Sequence, residues 1–384
     1  MRKSQVIIKY MKIILFLYAI VLLSSCGIAN NTINTTKEIS AIEHDDFKEM
    51  RTILDIFEQF EIVPLESSES TLLTNAQKIE VDDSLVFVYD KSAKPSLSVF
   101  NVEGEYITKV GAMGHATNEY LFIDDFTLDK KNRKVLLLSN GDVLIYDYSG
   151  RFDKRIKLSD EFYCTNIVIC DDGLVGLSSN RHPGTNLLHF FDENFKFKND
   201  EIESLPKSIE ENALSNVSLQ VSNENVCFLD FFRSRFVLVN HKDSKKHLIN
   251  QFRSNRMLND VSVLSGDFYQ NIENYDFITD FHYDGDEIFG WMFYGKELKY
   301  FTMRTQEDTF DVYAYGGWKP QVICHDNDLF YCLIKPGTLL SLIDTNKEYV
   351  SKTNRLFSEI FEKYKSCYSL KSNYSLVRMK RKER

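Results

Sequence analysis

The sequence has little positive charge of the kind that forms a basic stripe: its formal charge is −10, and no basic stripe appears before its last few residues. Nucleic acid, which binds basic surfaces, is therefore excluded as an expected partner. Proline is also scarce, with six residues, whereas phenylalanine and tyrosine are abundant, with 29 and 20. These aromatic side chains favour strands, so the composition favours a β-rich fold.

Signatures of common active sites are absent as well. The sequence has no Gly-Lys-Ser/Thr phosphate loop, no CxxC or Cys/His metal spacing, no HExxH helix and no nucleophile elbow. No catalytic residue, metal ligand or cofactor is therefore predicted, and a non-enzymatic role is favoured. An enzyme whose site is assembled from distant parts of the chain stays open.

The N-terminal apolar run is too short to cross a bilayer. Ile13–Leu23 has 11 residues and follows four basic residues within the first 12. This order is typical of a secretory signal peptide. The run ends in Leu23-Ser24-Ser25-Cys26, the pattern of a bacterial lipobox. Residues 1–25 are therefore predicted to be a signal peptide and Cys26 to carry lipid; an ordinary signal peptide with an unrelated cysteine is the alternative.

Residues 26–58 are predicted to be a tether and lead-in segment. Residues 27–46 contain few large apolar side chains, which predicts a disordered segment. Lipid on Cys26 makes the membrane an expected partner. Because no acidic run follows Cys26, an outer-membrane position facing the periplasm is favoured over the cell surface.

The other six cysteines are predicted to be small buried side chains. Cys164 and Cys170 lie six residues apart in one predicted strand, about 20 Å along it, so they cannot bond to each other. Most of the six lie in apolar β runs, where cysteine packs as a hydrophobic residue. Disulfides are the alternative, since the number is even in an exported chain. The positions are Cys164, Cys170, Cys227, Cys324, Cys332 and Cys367.

A sixfold repeat is marked by two kinds of turn rich in Asn, Asp and Gly. The first turns begin at Asp82, Asp129, Asp171, Asn223, Asp284 and Asp326, and the second turns at Asn101, Asp147, Asp192, Asn240, Arg304 and Asp344. Each first turn is 17 to 21 residues from its second turn, whereas successive first turns are 42 to 61 residues apart. This pattern indicates equal units joined by connections of variable length.

Each unit has the pattern of four antiparallel strands. Two apolar runs lie between its turns, such as LVFVYD and SLSVFNV in the first unit and LFYCLI and TLLSLID in the sixth. A third run precedes the first turn, and a fourth follows the second turn. Such units cover their faces by packing radially, which predicts an all-β, six-bladed propeller of four-stranded antiparallel blades over residues 59–382.

The chain ends are expected to close the ring. FEIVPLE at 60–66 and YSLVRMKRK at 374–382 are predicted strands, and one or both should complete the last blade. Residues 355–370 have apolar side chains at helical spacing, which predicts a short C-terminal helix.

Three segments resemble the six-bladed β-propeller lipoproteins of Bacteroidota, an NHL-like propeller family. They are FEIVPLESSESTLL, VFVYDKSAKPSLSVFNVEGEYITKVG and GAMGHATNEYLFIDDFTLD, and the final SNYSLVRMKRK is similar to that family's closing strand. Gly111, Gly114, Glu119 and Tyr120 match the family's inter-blade loop, whereas residues 115–118 depart from its Gln-Gly-Pro-Gly. The resemblance implies the propeller fold and no catalytic residue.

The loop GAMGHATNEY, residues 111–120, joins the first two units. An apparent strand follows it, so it is predicted to be a connection between blades and not a phosphate site. Glu119 is expected either to staple neighbouring blades by hydrogen bonds or to contact a ligand. His115 is expected to be a solvated loop residue.

The two rims of such a propeller differ. Both hairpin turns of each blade lie on one rim, here called the turn rim, which is predicted to be short and acidic. The other rim, called the variable rim, carries the inter-blade connections and the middle turns, and binding residues concentrate on such loops. Arginine and aromatic side chains there suit sugars, carboxylates or peptides. The candidate ligand-binding residues are Arg181, His182, Arg233, Arg253, Arg256 and Trp318.

Two functions follow from this interpretation. The first is an envelope lipoprotein that acts as a binding or scaffold module for a glycan, a peptide or a partner protein. The second is a metal-dependent hydrolase or lyase with a site in the central channel. A Ca²⁺ ion in the channel or at Asp284-Gly285-Asp286 is the metal considered, although no EF-hand spacing is present.

Overall fold

The computed structural model describes residues 34–40, 48–159, 161, 163–178, 186–203, 219–230, 235–243, 247–253, 274–305, 310–343, 355–356, 358–359, 362 and 372–382. These residues form six antiparallel sheets of four strands, arranged as the blades of a propeller, and two sheets gain a fifth strand. The predicted fold class is therefore confirmed.

The elements follow the chain in a regular order. The first are β1 (Asn34–Ser40), β2 (Lys48–Arg51), α1 (Ile53–Ile56) and β3 (Phe57–Pro64). Blade 1 has β4 (Ala76–Asp82), β5 (Leu85–Asp90), β6 (Ser96–Asn101) and β7 (Tyr106–Val110). Blade 2 has β8 (Asp125–Asp129), β9 (Lys134–Ser139), β10 (Asp142–Asp147) and β11 (Phe152–Lys157). Blade 3 has β12 (Cys164–Cys170), β13 (Gly173–Ser178), β14 (Asn186–Phe191) and β15 (Phe197–Glu203).

The remaining blades continue this pattern. Blade 4 has β16 (Leu219–Ser222), β17 (Asn225–Asp230), β18 (Arg235–Asn240) and β19 (His247–Arg253). Blade 5 has β20 (Phe277–Tyr283), β21 (Glu287–Tyr294), β22 (Glu297–Arg304) and β23 (Phe310–Tyr315). Blade 6 begins with β24 (Gln321–Asp326) and β25 (Leu329–Ile334), which α2 (Pro336–Ile343) and β26 (Ser375–Arg381) follow.

The core is divided into six hydrophobic clusters, one at each contact between neighbouring blades. Phe87 and Val99 of blade 1, for example, pack with Phe126 and Leu137 of blade 2, and all four are fully buried. Burial between blades removes apolar surface from water at about 25 cal/mol per Å². Each blade therefore depends on its neighbours for most of its stability.

The turns have the chemistry that the repeat predicted. In the first turns, Asp83, Asn223 and Asn327 have φ values of 53°, 53° and 52°, in the left-handed region that Asn and Asp tolerate. In the second turns, the Asp147 side chain accepts a hydrogen bond from the backbone N–H of Arg151 at 2.9 Å. Asn101 and Asp192 accept the corresponding bond from the N–H four residues on, and Asn240 accepts one from the N–H of Asp243, three residues on.

Both chain ends complete blade 6. β26 pairs with β25 on one side and antiparallel with β3 on the other, with Leu376 opposite Val63. Blade 6 thus takes its outermost strand from the N-terminal part of the chain and its third strand from the C-terminal end. This joins the ring by backbone hydrogen bonds.

One predicted strand of the sixth unit is wrong. TLLSLID was expected to be its third strand, but residues 338–343 belong to α2, and β26 takes the place of that strand. Pro336, whose backbone suits the first turn of a helix, begins α2. Leu339 is fully buried, and Leu342, three residues on, packs against the same cluster. The second turn predicted at Asp344 lies outside the described residues.

The predicted C-terminal helix is described only in part. Arg355, Leu356, Ser358, Glu359 and Glu362 are helical, and the other residues of 355–370 lie outside the described residues.

Part of the predicted tether is ordered as strands. β1 lies parallel to β19 as a fifth strand of blade 4, and β2 lies parallel to β23 as a fifth strand of blade 5. The prediction of disorder is therefore wrong for residues 34–40. The outermost strand of a blade leaves backbone N–H and C=O groups unpaired, and an extended segment can pair with them whatever its side chains are.

The prediction of buried cysteines is confirmed for three of the five cysteines within the described residues, and the other two are partly buried. Cys164, Cys227 and Cys332 are buried, and Cys170 and Cys324 are partly buried; all five are free thiols. Cys367 lies outside the described residues.

Candidate functional site

The first strands of the six blades surround a central channel with a cavity volume of ≈ 1410 Å³. Residues of β4, β8, β12, β16, β20 and β24 all line it. Successive side chains of a strand point to opposite faces of its sheet, so those of each first strand lie towards the two neighbouring blades at the edge of the channel, polar ones such as Lys78 and apolar ones such as Ile79 alike. The channel is therefore lined by both polar and apolar groups.

Lys78 of β4 is the centre of a charged cluster between blades 1 and 2. Its Nζ lies 2.8 Å from Asp125 Oδ1 and 3.1 Å from Glu80 Oε1, and it donates to the carbonyl of Phe126 at 2.6 Å. Burial works to lower the pKa of Lys78, but the negative charges of Asp125 and Glu80 outweigh it and raise that pKa. The lysine therefore stays charged.

The carboxylates of this cluster also bind the backbones of neighbouring blades. Asp125 Oδ2 accepts a hydrogen bond from the N–H of Ile167 in blade 3 at 2.9 Å. Glu80 Oε2 accepts one from the N–H of Leu128 in blade 2 at 3.0 Å. Burial raises the pKa of Glu80, which Lys78 opposes. The cluster thus links blades 1, 2 and 3.

Gln220 of β16 makes a corresponding link between blades 4 and 5. Its Nε2 donates to the carbonyl of Phe281 at 2.9 Å, and its Oε1 accepts from the N–H of Tyr283 at 2.8 Å. An amide is well suited to this position, because it satisfies one donor and one acceptor of the facing strand.

A second lysine pairs with a channel carboxylate at the contact between blades 5 and 6. Lys319 Nζ lies 3.9 Å from Asp280 Oδ2 and donates to Thr279 Oγ1 at 3.0 Å. Burial raises the pKa of Asp280 and lowers that of Lys319, and the attraction between the two groups opposes both shifts. The channel carboxylates Asp125, Glu80 and Asp280 therefore all have lysine partners.

Two histidines meet between blades 5 and 6. The ring centroids of His282 and His325 are 4.7 Å apart and their planes are nearly perpendicular, at 88°. His282 is only 4% exposed and packs against the rings of Phe289 and Phe330. Burial lowers the pKa of both histidines, and the positive charge of Arg381 adds to the effect at His282. Both rings are therefore neutral at pH 7.

The described residues do not provide a set of ligands for the metal ion considered from the sequence. Among them, no group of three His, Cys, Asp or Glu side chains is placed to hold a metal ion. Asp284, considered for Ca²⁺, accepts a hydrogen bond from the N–H of Glu287 at 2.9 Å through Oδ1 and pairs with Arg381 at 3.2 Å through Oδ2. Both of its oxygens thus have protein partners.

Polar contacts between blades link the turns of the turn rim. Arg133 of blade 2 forms an ion pair with Asp83 of blade 1 at 3.2 Å, and His241 Nδ1 of blade 4 lies within hydrogen-bond distance of Asp172 Oδ1 of blade 3, at 2.7 Å. The rim is acidic, as its sequence implies, but these partners offset part of its charge. Its short turns serve contacts between blades.

The loop 111–120 is organised by its own hydrogen bonds. Glu119 Oε2 accepts from the N–H of Ala116 at 3.0 Å, and the N–H of Gly114 donates to the carbonyl of Tyr120 at 2.9 Å. Gly111 has φ +66°, and an added Cβ there would meet Tyr146 Oη at 2.6 Å. The glycines thus permit a tight loop packed on a tyrosine.

Blade 2 holds the same loop from the other side. Arg155 Nη2 donates to the carbonyl of Glu119 at 2.6 Å, and the Tyr146 hydroxyl donates to the carbonyl of Asn118 at 3.0 Å. Tyr120 is 2% exposed. The contact of Glu119 with blade 2 is thus made by its backbone carbonyl, while its side chain bonds within the loop. His115 is exposed.

Most of the predicted ligand-binding residues lie outside the described residues. Arg181, His182, Arg233 and Arg256 lie outside the described residues, and Arg253 is described only as the last residue of β19, opposite Ser40. Trp318 is 7% exposed and lies in the hydrophobic cluster between blades 5 and 6, so its indole is packed in the core and not presented on the rim.

Four exposed apolar side chains on the variable rim were missed by sequence reasoning. Met113, Leu121 and Phe122 are 51%, 47% and 40% exposed on the connection between blades 1 and 2, and Leu72 is 45% exposed on the connection that precedes β4. The available signal was the run YLFI, in which apolar residues extend before β8 begins. Exposed apolar side chains that lie together commonly mark interaction surfaces, and three of these four lie on one connection.

The predicted signal peptide and Cys26 lie outside the described residues. In the part of the chain that the structure describes, neither helix has the length and apolar character needed to cross a bilayer.

Comparisons with known proteins agree with the propeller architecture. The chain is similar to a solved structure described as an exported protein of Bacteroides fragilis, with 15% sequence identity and a TM-score of 0.68 over 90% of this chain and 100% of that one. It is also similar to a member of the duf4221 family from Bacteroides vulgatus, with 9% identity and a TM-score of 0.51 over 85% and 97% of the two chains. At these identities the likeness shows the fold alone. No curated protein matches the sequence.

A family model covers most of the chain. The model described as "Domain of unknown function (DUF4934)" matches residues 39–363, which include β2 to β25 and both helices. The chain therefore belongs to the DUF4934 family.

Proposed function

We propose that this protein is an exported, NHL-like propeller lipoprotein of Bacteroidota that binds a glycan, a peptide or a partner protein through its variable rim. Lipid on Cys26 anchors it to the outer membrane, facing the periplasm. The signal-peptide and lipobox pattern supports this location, and the two similar structures come from Bacteroides, one of them described as an exported protein.

The observation that carries the binding role is the exposed apolar group on the variable rim. Met113, Leu121 and Phe122 lie on one connection, and Leu72 lies on the connection before it in the chain. Burial of one such side chain by a partner contributes about 1.5–3 kcal/mol, so a few suffice for specific binding. The arginines predicted from the sequence to bind a ligand, Arg181 among them, would add charged contacts to a carboxylate or a sugar.

The channel and the turn rim are less suited to binding a ligand than the variable rim is. The polar side chains of the channel, such as Lys78 and Gln220, are engaged in contacts between blades. The turn rim consists of short turns joined by ion pairs, such as Arg133–Asp83. A rigid ring with variable loops on one rim is the usual arrangement of a binding protein.

A binding comparison tests this role. The full chain is screened against a glycan array, a peptide library and a solubilised envelope fraction, and any ligand found is titrated against two variants. We expect the double variant Met113→Ser/Phe122→Ser to lose affinity by about tenfold or more, equivalent to 1.4 kcal/mol. The matched control is Ile107→Ser, because Ile107 is 49% exposed on β7, away from the rim connections. Equal loss in both, or unchanged affinity in the double variant, would refute the variable rim as the binding surface.

A further inference from the structure

The pairing of β1 with β19 fixes the start of the described chain on the outer edge of blade 4. All seven residues of β1 have a partner in the parallel ladder, from Asn34 opposite His247 to Ser40 opposite Arg253. β2 pairs in the same parallel sense with β23 of blade 5, with Lys48 opposite Tyr313. The segment before the ring is therefore bound to the propeller at two places.

This pairing shortens the stretch of chain between the proposed lipid site and the first residue bound to the propeller. Eight residue steps separate Cys26 from Asn34, which span at most about 28 Å when fully extended. If β1 and β2 were not paired, the stretch of chain between Cys26 and the ring would extend to Phe57. Its 31 residue steps could span about 100 Å when fully extended. A folded chain of this size is about 50 Å across, so the remaining tether is shorter than the body it holds.

We propose that β1 acts as a clamp that holds the propeller against the bilayer carrying its lipid, with the outer edge of blade 4 towards the headgroups. This inference rests on the proposed lipidation of Cys26. Blade 1 lies opposite blade 4 in a six-bladed ring and is directed away from the bilayer. The exposed apolar group of the connection 111–124 begins at the end of blade 1, so it faces away from the lipid and towards partners at the membrane surface.

Energy transfer to the membrane tests the orientation. The full chain with lipid on Cys26 is purified and reconstituted into vesicles of phosphatidylethanolamine and phosphatidylglycerol that carry an acceptor dye on the headgroups. A donor dye is attached either at Asp243→Cys in blade 4 or at Glu103→Cys in blade 1. The two positions are a matched pair, since both are exposed residues of the second turn of their blade. Cys367→Ser removes the one remaining thiol outside the described residues.

We expect stronger transfer from position 243 than from position 103. The variant Thr36→Pro/Lys37→Pro should abolish this difference in transfer. Consecutive residues of a strand point their N–H groups to opposite edges, so one of the two prolines must remove an N–H donor that faces β19. Blade 4 is a complete four-stranded sheet without β1, so the fold should persist, which circular dichroism checks. The control variant Asn30→Pro/Asn31→Pro, placed before β1, should keep the difference.

Three results would overturn the inference. Equal transfer from both positions in the parent chain, or a difference that survives the prolines in β1, would show that β1 does not orient the propeller. If the chain fails to float with the vesicles and mass spectrometry finds no acyl group on Cys26, the proposed anchor is refuted, and this inference falls with it.

Discussion

Lys130 Nζ lies 2.5 Å from Asp326 Oδ1, although the two residues belong to blades that are not neighbours. Lys130 directly follows β8 in blade 2, and Asp326 ends β24 in blade 6, with blade 1 between them in the ring. Both residues line the channel at the turn rim. The pair therefore spans part of the channel mouth and links blades on the two sides of blade 1.

This ion pair should contribute little to stability. The Lys130 side chain is 44% exposed, and exposed pairs contribute about 0–1 kcal/mol because water screens them. We expect Lys130→Ala and Asp326→Asn each to lower the free energy of unfolding only slightly, with a coupling below about 1 kcal/mol in a double-mutant cycle followed by urea denaturation. A coupling of several kcal/mol would contradict this expectation.

The charged cluster around Lys78 should be far more sensitive. Lys78→Met leaves Asp125 and Glu80 without their cation, and Asp125 is only 5% exposed. Removing one partner of a buried pair typically costs about 3–5 kcal/mol, because an uncompensated charge remains. Urea denaturation should show a loss at the lower end of this range, since Lys78 is 28% exposed. The control is Lys131→Met, an exposed lysine of the adjacent turn, which should change stability by less than about 0.5 kcal/mol.

Acid should destabilise the contact between blades 5 and 6 through His282. Its pKa is lowered in the folded state, so below about pH 6.5, the ordinary value, only the unfolded chain takes up this proton. The free energy of unfolding should therefore fall with pH below that value, by up to about 1.4 kcal/mol per pH unit for this one group. Above that value the contribution of the neutral ring is fully present.

The variant His282→Phe isolates the contribution of His282 to the pH dependence of the free energy of unfolding. Buried carboxyl groups with raised pKa, such as Glu80 and Asp280, act in the opposite direction, so the comparison is the difference between parent and variant at each pH. The acid decline should be shallower in His282→Phe and unchanged in His115→Phe, whose ring lies on an exposed loop. Parallel curves for parent and His282→Phe would show that His282 is not the group responsible.

The cysteines should be inert in the folded protein. Burial raises the pKa of the Cys164 and Cys170 thiols to about 12, and it also raises the pKa of the Cys227, Cys324 and Cys332 thiols. Because the thiolate is the reactive form, a Cys367→Ser variant with lipidated Cys26 should react with a thiol reagent at pH 8 only after unfolding. Rapid labelling of the native protein, or a loss of stability on reduction, would contradict the free buried state of these five residues.

The repeat could be predicted from sequence because its signals are local. The first turns need a residue in the left-handed region, which selects Asn or Asp, as at Asp83 and Asn223. The second turns need a side chain that accepts a hydrogen bond, which selects the same residue types, as at Asp147 and Asp192. Apolar runs between these turns identify the strands. None of these signals depends on parts of the chain that are distant in sequence.

The candidate site was less accessible to the same reasoning. Trp318 was predicted to contact a ligand because aromatic residues in rim loops often do, but its ring fills the contact between blades 5 and 6. Conversely, Met113 and Phe122 are apolar residues of the kind usually found in a core, but the fold of their loop leaves both side chains exposed to water. Exposure depends on which blades a connection joins, and a single segment does not contain that information.

The order of turns and strands determined, without tertiary contacts, that this chain forms six equal units and that neighbouring units must cover each other. The sequence also predicted that one or both terminal strands complete the last blade; the folded ring decided that both do, as β3 and β26 of blade 6, and that β1 and β2 extend blades 4 and 5. An edge accepts almost any extended backbone, because its bonds are made by main-chain groups common to all residues. The choice among segments therefore depends on chain length and on proximity in the ring, which exist only once the blades have assembled.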